Sequence, residues 1–165
     1  MRSEIKGPQQ MQNESVLLVE DDPSDFRLIQ RAFNKLGERF EMFRLTNGDE
    51  AIAYLSGDDP YENRGAHPMP SMLLLDLKLP RRSGFEVLEW VRRQSSALSR
   101  LPVVVLTSSR HSVDINRAYD LGANSYLVKP ATNSQLEDLA SQFRNYWMSL
   151  NEFPSLAEQP RGMND

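Results

Sequence analysis

Short apolar runs alternate with amphipathic segments along the middle of the chain. Several of the runs are continuously apolar, as is typical of strands that are buried on both faces of a sheet. The five predicted strands are residues 16–20, 40–46, 71–76, 101–107 and 125–129. After the first strand, Phe26, Ile29 and Phe33 recur at helical spacing and predict a helix that ends at Gly37. Similar segments follow each later strand, so the pattern indicates an α/β fold with a parallel sheet.

The two ends of the chain lack this pattern. Residues 1–14 are polar, and residues 151–165 contain two prolines with little periodicity. We therefore predict flexible tails at 1–14 and 151–165 around a single domain at 15–150. The last helix of that domain is predicted to run from about residue 133 to 150, and residues 58–70 form a loop rich in proline and glycine.

Composition excludes several classes of function. The chain has 19 Lys and Arg against 23 Asp and Glu, so its net charge of −4 does not favour nucleic acid or membrane as a partner. Cysteine is absent, which excludes disulfides and thiolate metal sites. No apolar run approaches the roughly 20 residues that span a bilayer, and the start carries no secretory signal. A cytoplasmic protein is expected.

Polar residues stand at the carboxyl ends of four predicted strands. They are Asp21 and Asp22, Asp76, Thr107 and Lys129. In an open parallel sheet these ends share one edge, where ligands bind. Three ionised carboxylates would repel one another unless cations lie among them, and a hard cation such as Mg²⁺ would join Lys129 in this role.

Such a site suits phosphoryl chemistry, because cations neutralise the charge on the transferred oxygens. Asp76 is then a candidate carboxylate nucleophile, with Thr107 donating to one phosphoryl oxygen and Lys129 pairing with another. An aspartate after a strand is also a common turn residue or helix cap. Asp22 precedes Pro23 and fits an N-cap, so both roles remain open for it.

Four motifs together resemble the receiver domain of two-component response regulators. They are VEDDPSD, LLLDLKLPRRSG, VVLTSS and LVKP, and the resemblance covers residues 14–150. It implies a flavodoxin-like sheet of order 2-1-3-4-5 and phosphorylation of Asp76 by a sensor histidine kinase. It also implies Mg²⁺ or Mn²⁺ held by Asp22, Asp76 and the backbone carbonyl of Lys78, with Asp21 assisting.

The resemblance assigns further roles on the other side of the site. Thr107 and Lys129 would bind the phosphoryl group. Tyr126 occupies the position of the switch aromatic, which turns inward when Thr107 moves toward the phosphate. The Lys129–Pro130 bond matches a cis peptide of the family, which is an accessible geometry only before proline. Lys78 and Ser109 occupy positions that influence the lifetime of the phosphoryl group.

The long loop at 58–70 and the aromatic final helix are similar to those of small receivers that partner phytochromes. Members of that subgroup are single-domain proteins, and several are dimers. If Tyr146 or Trp147 is exposed, a homodimer patch along helix four, strand five and helix five is expected. No helix-turn-helix segment follows residue 150, so no DNA-binding output is expected.

Two other readings compete with a stand-alone receiver. A phosphohydrolase of the haloacid dehalogenase type usually carries a second aspartate two residues after its nucleophile, where this chain has Lys78. A pseudo-receiver that binds a partner constitutively would not need the intact set of acids, Thr107 and Lys129. We therefore expect a signalling protein and not an enzyme with a separate substrate. His67 and His111 are not expected to have catalytic roles.

Overall fold

The computed structural model describes residues 14–37 and 40–157. The strands are β1 (Glu14–Val19), β2 (Phe40–Leu45), β3 (Met72–Leu75), β4 (Val103–Thr107) and β5 (Ser125–Val128). The helices are α1 (Pro23–Asn34), α2 (Gly48–Ser56), α3 (Gly84–Arg93), α4 (Ser112–Asp120) and α5 (Asn133–Phe143). A 3₁₀ turn at Ala97–Arg100 precedes β4, and a π-helix at Arg144–Leu150 continues α5.

All neighbouring strands are parallel, in the order β2-β1-β3-β4-β5. This is the order of a flavodoxin-like sheet, so the predicted α/β fold and its topology are confirmed. The carboxyl ends of β1, β3 and β4 lie next to one another at the middle of the sheet. The polar residues that follow these strands are therefore brought to one edge.

Helices cover both faces of the sheet and create two hydrophobic cores. Because side chains alternate along a strand, Leu17 and Val19 of β1 join a cluster with residues of α2 and α3. Their neighbours Val16 and Leu18 join a second cluster with α1 and α5, in which the rings of Phe33 and Phe143 meet edge to face. Burial on both faces explains why the strands read as continuous apolar runs.

Local capping sets the start of the helices that follow β1 and β3. The Asp22 side chain accepts from the backbone N–H groups of Ser24 and Asp25, so the predicted N-cap of α1 is confirmed. Helix α3 begins with a capping box between Ser83 and Glu86. These caps fix where each helix begins relative to the strand before it.

The end of the domain differs from the prediction. The final helix changes from α to π geometry after Phe143, and the residues from 151 to 157 pack against the domain. Phe153 stacks on Trp147, Leu156 contacts the core next to α2 and α3, and the Ser155 carbonyl accepts from Arg100. The predicted tail at 1–14 and the rest of the C-terminal tail lie almost wholly outside the described residues. Of the helices in the described ranges, none has the length and apolar character to cross a membrane.

Candidate functional site

Asp76 lies at the centre of the carboxyl edge, one residue beyond β3. Its backbone N–H donates to the Val19 carbonyl, which extends the pairing between β3 and β1. The side chain is 8% exposed, and its Oδ2 accepts from Lys129 Nζ at 2.9 Å. Helix α3 begins close behind it, since a Cβ on Gly84 would lie 2.1 Å from the Asp76 carbonyl oxygen. A glycine is therefore required where α3 passes the aspartate.

Three carboxylates meet at this edge. Oxygens of Glu20, Asp21 and Asp76 all lie within 4.8 Å of one another. Glu20 is buried and Asp21 is exposed, so the cluster opens to solvent on one side. Hard divalent cations prefer carboxylate and water oxygens, so these three residues fit a Mg²⁺ or Mn²⁺ ion with water ligands on the open side.

The acids that lie beside Asp76 are Glu20 and Asp21, whereas the prediction placed Asp21 and Asp22 there. The Asp22 carboxylate is used by its own helix, where it accepts from Ser24 N at 2.7 Å and Asp25 N at 2.9 Å. These hydrogen bonds lower the pKa of Asp22. Glu20 takes its place in the cluster, and its Oε1 also accepts from the Asp22 N–H. Its position as the last residue of the apolar run VLLVE was a signal for a buried acid.

Lys129 supplies the positive charge of the site. Its Nζ lies 2.6 Å from Glu20 Oε2, 2.8 Å from Asp25 Oδ2 and 2.9 Å from Asp76 Oδ2. Burial by itself would lower the pKa of the Lys129 ammonium, but its hydrogen bonds to the three carboxylates raise the pKa above its ordinary value. Burial raises the pKa of Glu20 to about 7, against the opposing effect of Lys129. Sequence reasoning missed both Glu20 and Asp25 as partners of this lysine.

Arg44 on β2 fixes the loop that carries the acid pair. Its guanidinium donates to the backbone carbonyls of Glu20 and Asp21, each at 3.1 Å. The same group lies over the ring of Phe26 at 4.6 Å from the ring centroid. This arginine therefore ties the β1–α1 loop to the neighbouring strand. It was also missed, because no local pattern connects it to the acids.

Thr107 ends β4 on the far side of Asp76. Its side chain is completely buried, and among the described residues its Oγ1 has no hydrogen-bond partner. A buried hydroxyl without a partner is energetically unfavourable, and a catalytic role is one explanation of such a group in a native structure. The hydroxyl therefore fits the predicted role as a donor to a phosphoryl oxygen.

Tyr126 connects β5 to the loop that follows Thr107. Its hydroxyl donates to the Ser109 carbonyl at 3.0 Å, and its ring packs against the core next to α2 and α3. The aromatic ring is thus half-buried in this structure. The hydroxyl of Ser109 is also engaged, because it donates to Asp114 at the start of α4.

Two predicted features of the site loops have different outcomes. The Lys129–Pro130 bond is trans, so the predicted cis geometry is wrong; the cis peptide bond in the described residues is Asp59–Pro60. Trans is the lower-energy form of an X-Pro bond by about 0.5–1 kcal/mol. The Lys78 side chain is exposed, and its backbone N–H lies 3.4 Å from Asp76 Oδ1. The role of its carbonyl as a metal ligand stays a prediction.

Comparison with known proteins identifies the family. Residues 16–141 match the model of the response regulator receiver domain. The chain belongs to this family. It is 39% identical to the probable methanogenesis regulatory protein FilR2 of Methanothrix harundinacea, over 86% of this chain and 88% of FilR2.

Two other relatives are phytochrome-associated or metal-bound receivers of known structure. The phosphorylated cyanobacterial phytochrome response regulator RcpA matches with a TM-score of 0.80 and 38% identity, over 87% of this chain and 99% of RcpA. Rcp1 of Synechocystis sp. is 36% identical over 85% of this chain and 92% of Rcp1. Its Mn²⁺-bound structure matches with a TM-score of 0.78, over 86% of this chain and 99% of Rcp1. The resemblance of this receiver to phytochrome response regulators is therefore confirmed.

Proposed function

We propose that this receiver accepts a phosphoryl group on Asp76 from a sensor histidine kinase of the phytochrome type. The observation that supports the proposal most strongly is the arrangement around Asp76. A buried carboxylate is paired with Lys129 and shares a cluster with Glu20 and Asp21. On the adjacent strand lies the Thr107 hydroxyl, which has no partner among the described residues. The similarity to phytochrome response regulators supports the choice of kinase.

In the proposed reaction, an oxygen of Asp76 attacks the phosphorus of a phosphohistidine. The new O–P bond forms as the N–P bond breaks, and the imidazole leaves with the electron pair of that bond and takes a proton from water. Among the contacts of the described residues, Oδ2 accepts from Lys129 while Oδ1 has the long contact to Lys78 N, so Oδ1 is the better nucleophile. Water then hydrolyses the acyl phosphate to return the free carboxylate.

The charges of the site would stabilise this transfer. A bound Mg²⁺ or Mn²⁺ would neutralise charge on the phosphoryl oxygens, and Glu20, Asp21 and Asp76 are the residues that would hold it. The Lys129 ammonium would pair with one phosphoryl oxygen, and the Thr107 hydroxyl would donate to another. We propose no separate substrate: the protein would catalyse its own phosphorylation and dephosphorylation.

The signal would leave the site through the β4–α4 loop. Thr107 lies two residues before Ser109, whose carbonyl accepts from Tyr126. A movement of Thr107 toward a phosphoryl group would therefore reposition α4 and β5 together. Near this face, Val113 is 74% and Tyr119 is 49% exposed on α4, and Tyr146 is 54% exposed beyond α5. This apolar exposure supports a homodimer that forms or strengthens on phosphorylation.

Intact-protein mass spectrometry with acetyl phosphate and Mg²⁺ tests the phosphoacceptor. The wild type should gain one phosphoryl group, and neither Asp76→Asn nor the wild type with EDTA should gain it. An adduct that persists in Asp76→Asn would contradict the assignment of the site. Transfer from an autophosphorylated phytochrome kinase, compared with a kinase of another class, tests the partner. Turnover of unrelated organic phosphates would favour the phosphohydrolase instead.

A further inference from the structure

Asp25 gives Lys129 a third carboxylate partner that the proposed reaction does not use. An ammonium group has three N–H donors, and Lys129 faces one carboxylate with each of them. The bonds lead to Glu20, Asp25 and Asp76. A hydrogen bond from Lys129 to a phosphoryl oxygen therefore requires that one of these partners be released.

The three partners differ in the cost of release. The Glu20 side chain is 1% exposed, so water has little access to replace Lys129 at its oxygen. Asp76 is the reacting group, and it must stay close to the phosphoryl group that it receives. The Asp25 side chain is 40% exposed, so water can replace Lys129 at its oxygen at small cost. The lysine should therefore leave Asp25 first.

Asp25 is available for this contact because of how α1 begins. It is the third residue of the helix, where an acid commonly accepts from the N–H of the N-cap residue. In this protein the Asp22 N–H donates to Glu20 Oε1 instead. The Asp25 carboxylate is thus left to bind Lys129, and the positive end of the α1 dipole stabilises its charge.

We propose that Asp25 is a positioning residue that restrains Lys129 before phosphoryl transfer and thereby limits the rate at which Asp76 is phosphorylated. This inference rests on the proposed function. In the resting protein, the Asp25–Lys129 bond holds one of the three lysine N–H groups away from the incoming phosphoryl group. That bond breaks on the way to the transition state, so its removal lowers the barrier.

The initial rate of phosphorylation by acetyl phosphate, followed by intact mass, tests the restraint. Asp25→Asn keeps the shape of the side chain and removes its charge, and we expect it to accelerate phosphorylation roughly two- to fivefold, as for a partly exposed ion pair. Asp25→Glu keeps a carboxylate and should restore a rate close to that of the wild type. A purely structural role of the helix start would not distinguish these two variants in this way.

A matched control separates the restraint from a general loss of negative charge. Asp22→Asn removes one charge from the same end of α1 and retains a side chain that can cap the helix. Asp22 makes no hydrogen bond to Lys129 among the contacts of the described residues. Its acceleration should be clearly smaller than that of Asp25→Asn.

The outcomes separate the failure of the inference from that of the proposed function. An Asp25→Asn protein that is phosphorylated at the wild-type rate or more slowly would overturn the role of Asp25 and leave Asp76 as the phosphoacceptor. Equal acceleration by Asp22→Asn would overturn it as well. A wild type that takes up no phosphoryl group would overturn the proposed function and the inference together.

Discussion

Replacement of Thr107 by valine should separate the stability of this receiver from its chemistry. Valine has nearly the same shape as threonine and places a methyl group where the hydroxyl stands. Thr107 is completely buried, and its Oγ1 has no hydrogen-bond partner among the described residues. The wild type therefore carries the cost of an unpaired buried hydroxyl in the resting state, and the variant does not.

The structure allows both effects to be estimated. An unsatisfied buried polar group costs about 1–3 kcal/mol, so Thr107→Val should raise the free energy of unfolding by about 1–2 kcal/mol. For a protein of this size, that gain corresponds to a rise in Tm of roughly 2–8 °C. The variant also loses a donor to a charged phosphoryl oxygen, so phosphorylation should slow by about 10- to 100-fold.

Urea unfolding followed by tryptophan fluorescence measures the first effect, and intact mass after acetyl phosphate treatment measures the second. Thr107→Ser is the matched control, because it keeps the hydroxyl and loses the methyl group. It should be less stable than the wild type by about 1 kcal/mol and be phosphorylated at a similar rate. A Thr107→Val protein that is less stable than the wild type would mean that the hydroxyl is bonded in the resting state. Unchanged phosphorylation would exclude the hydroxyl from the reaction.

Three further predictions address the fold around the site. Gly84→Ala would place a Cβ 2.1 Å from the Asp76 carbonyl oxygen, so α3 would have to shift. The free energy of unfolding, measured in urea, should fall by about 1–3 kcal/mol, and phosphorylation should slow. Phe153→Ala removes the ring stacked on Trp147. The free energy of unfolding should fall by about 1–2 kcal/mol, and tryptophan emission should shift to the red. If neither changes, residues 151–157 do not pack against the domain in solution. Hydrogen bonds from the Ser83 backbone N–H and side chain lower the pKa of Glu86 in the folded state. The contribution of ionised Glu86 to the free energy of unfolding is therefore present above its ordinary pKa, and it is lost as the pH falls through the lower pKa of the folded state. Unfolding curves of the wild type and Glu86→Gln should therefore differ at neutral pH and converge in acid; a difference independent of pH would refute this.

The acids after β1 show where local pattern stops being informative. EDD presents three consecutive carboxylates, and the pattern shows that they follow a buried strand. Which of them turn toward Asp76 depends on where β1 ends and where α1 begins. The Asp22 carboxylate caps α1, so Glu20 and Asp21 are the acids beside Asp76. The prediction had placed this pair one residue later in the chain.

Phe153, which follows the last helix, shows a similar limit. The segment after residue 150 has no periodicity and was predicted to be loose. Phe153 nevertheless stacks on Trp147, because the π-helix places that ring where the returning chain can cover it. A single contact between neighbouring side chains produces no repeat that a pattern search can detect.

The sequence by itself determined the types of the elements, the parallel sheet and the meeting of Asp76, Thr107 and Lys129 at one edge. Buried strands and amphipathic helices have characteristic periods, and parallel connections bring all carboxyl ends to the same side. Only the tertiary structure decided which groups neutralise Lys129. Asp25 lies 104 residues from that lysine, and their contact depends on the packing of α1 against α5, the helix that follows β5, and on a cap that leaves the Asp25 carboxylate available. Such a pairing is set by three-dimensional position and leaves no local trace in the chain.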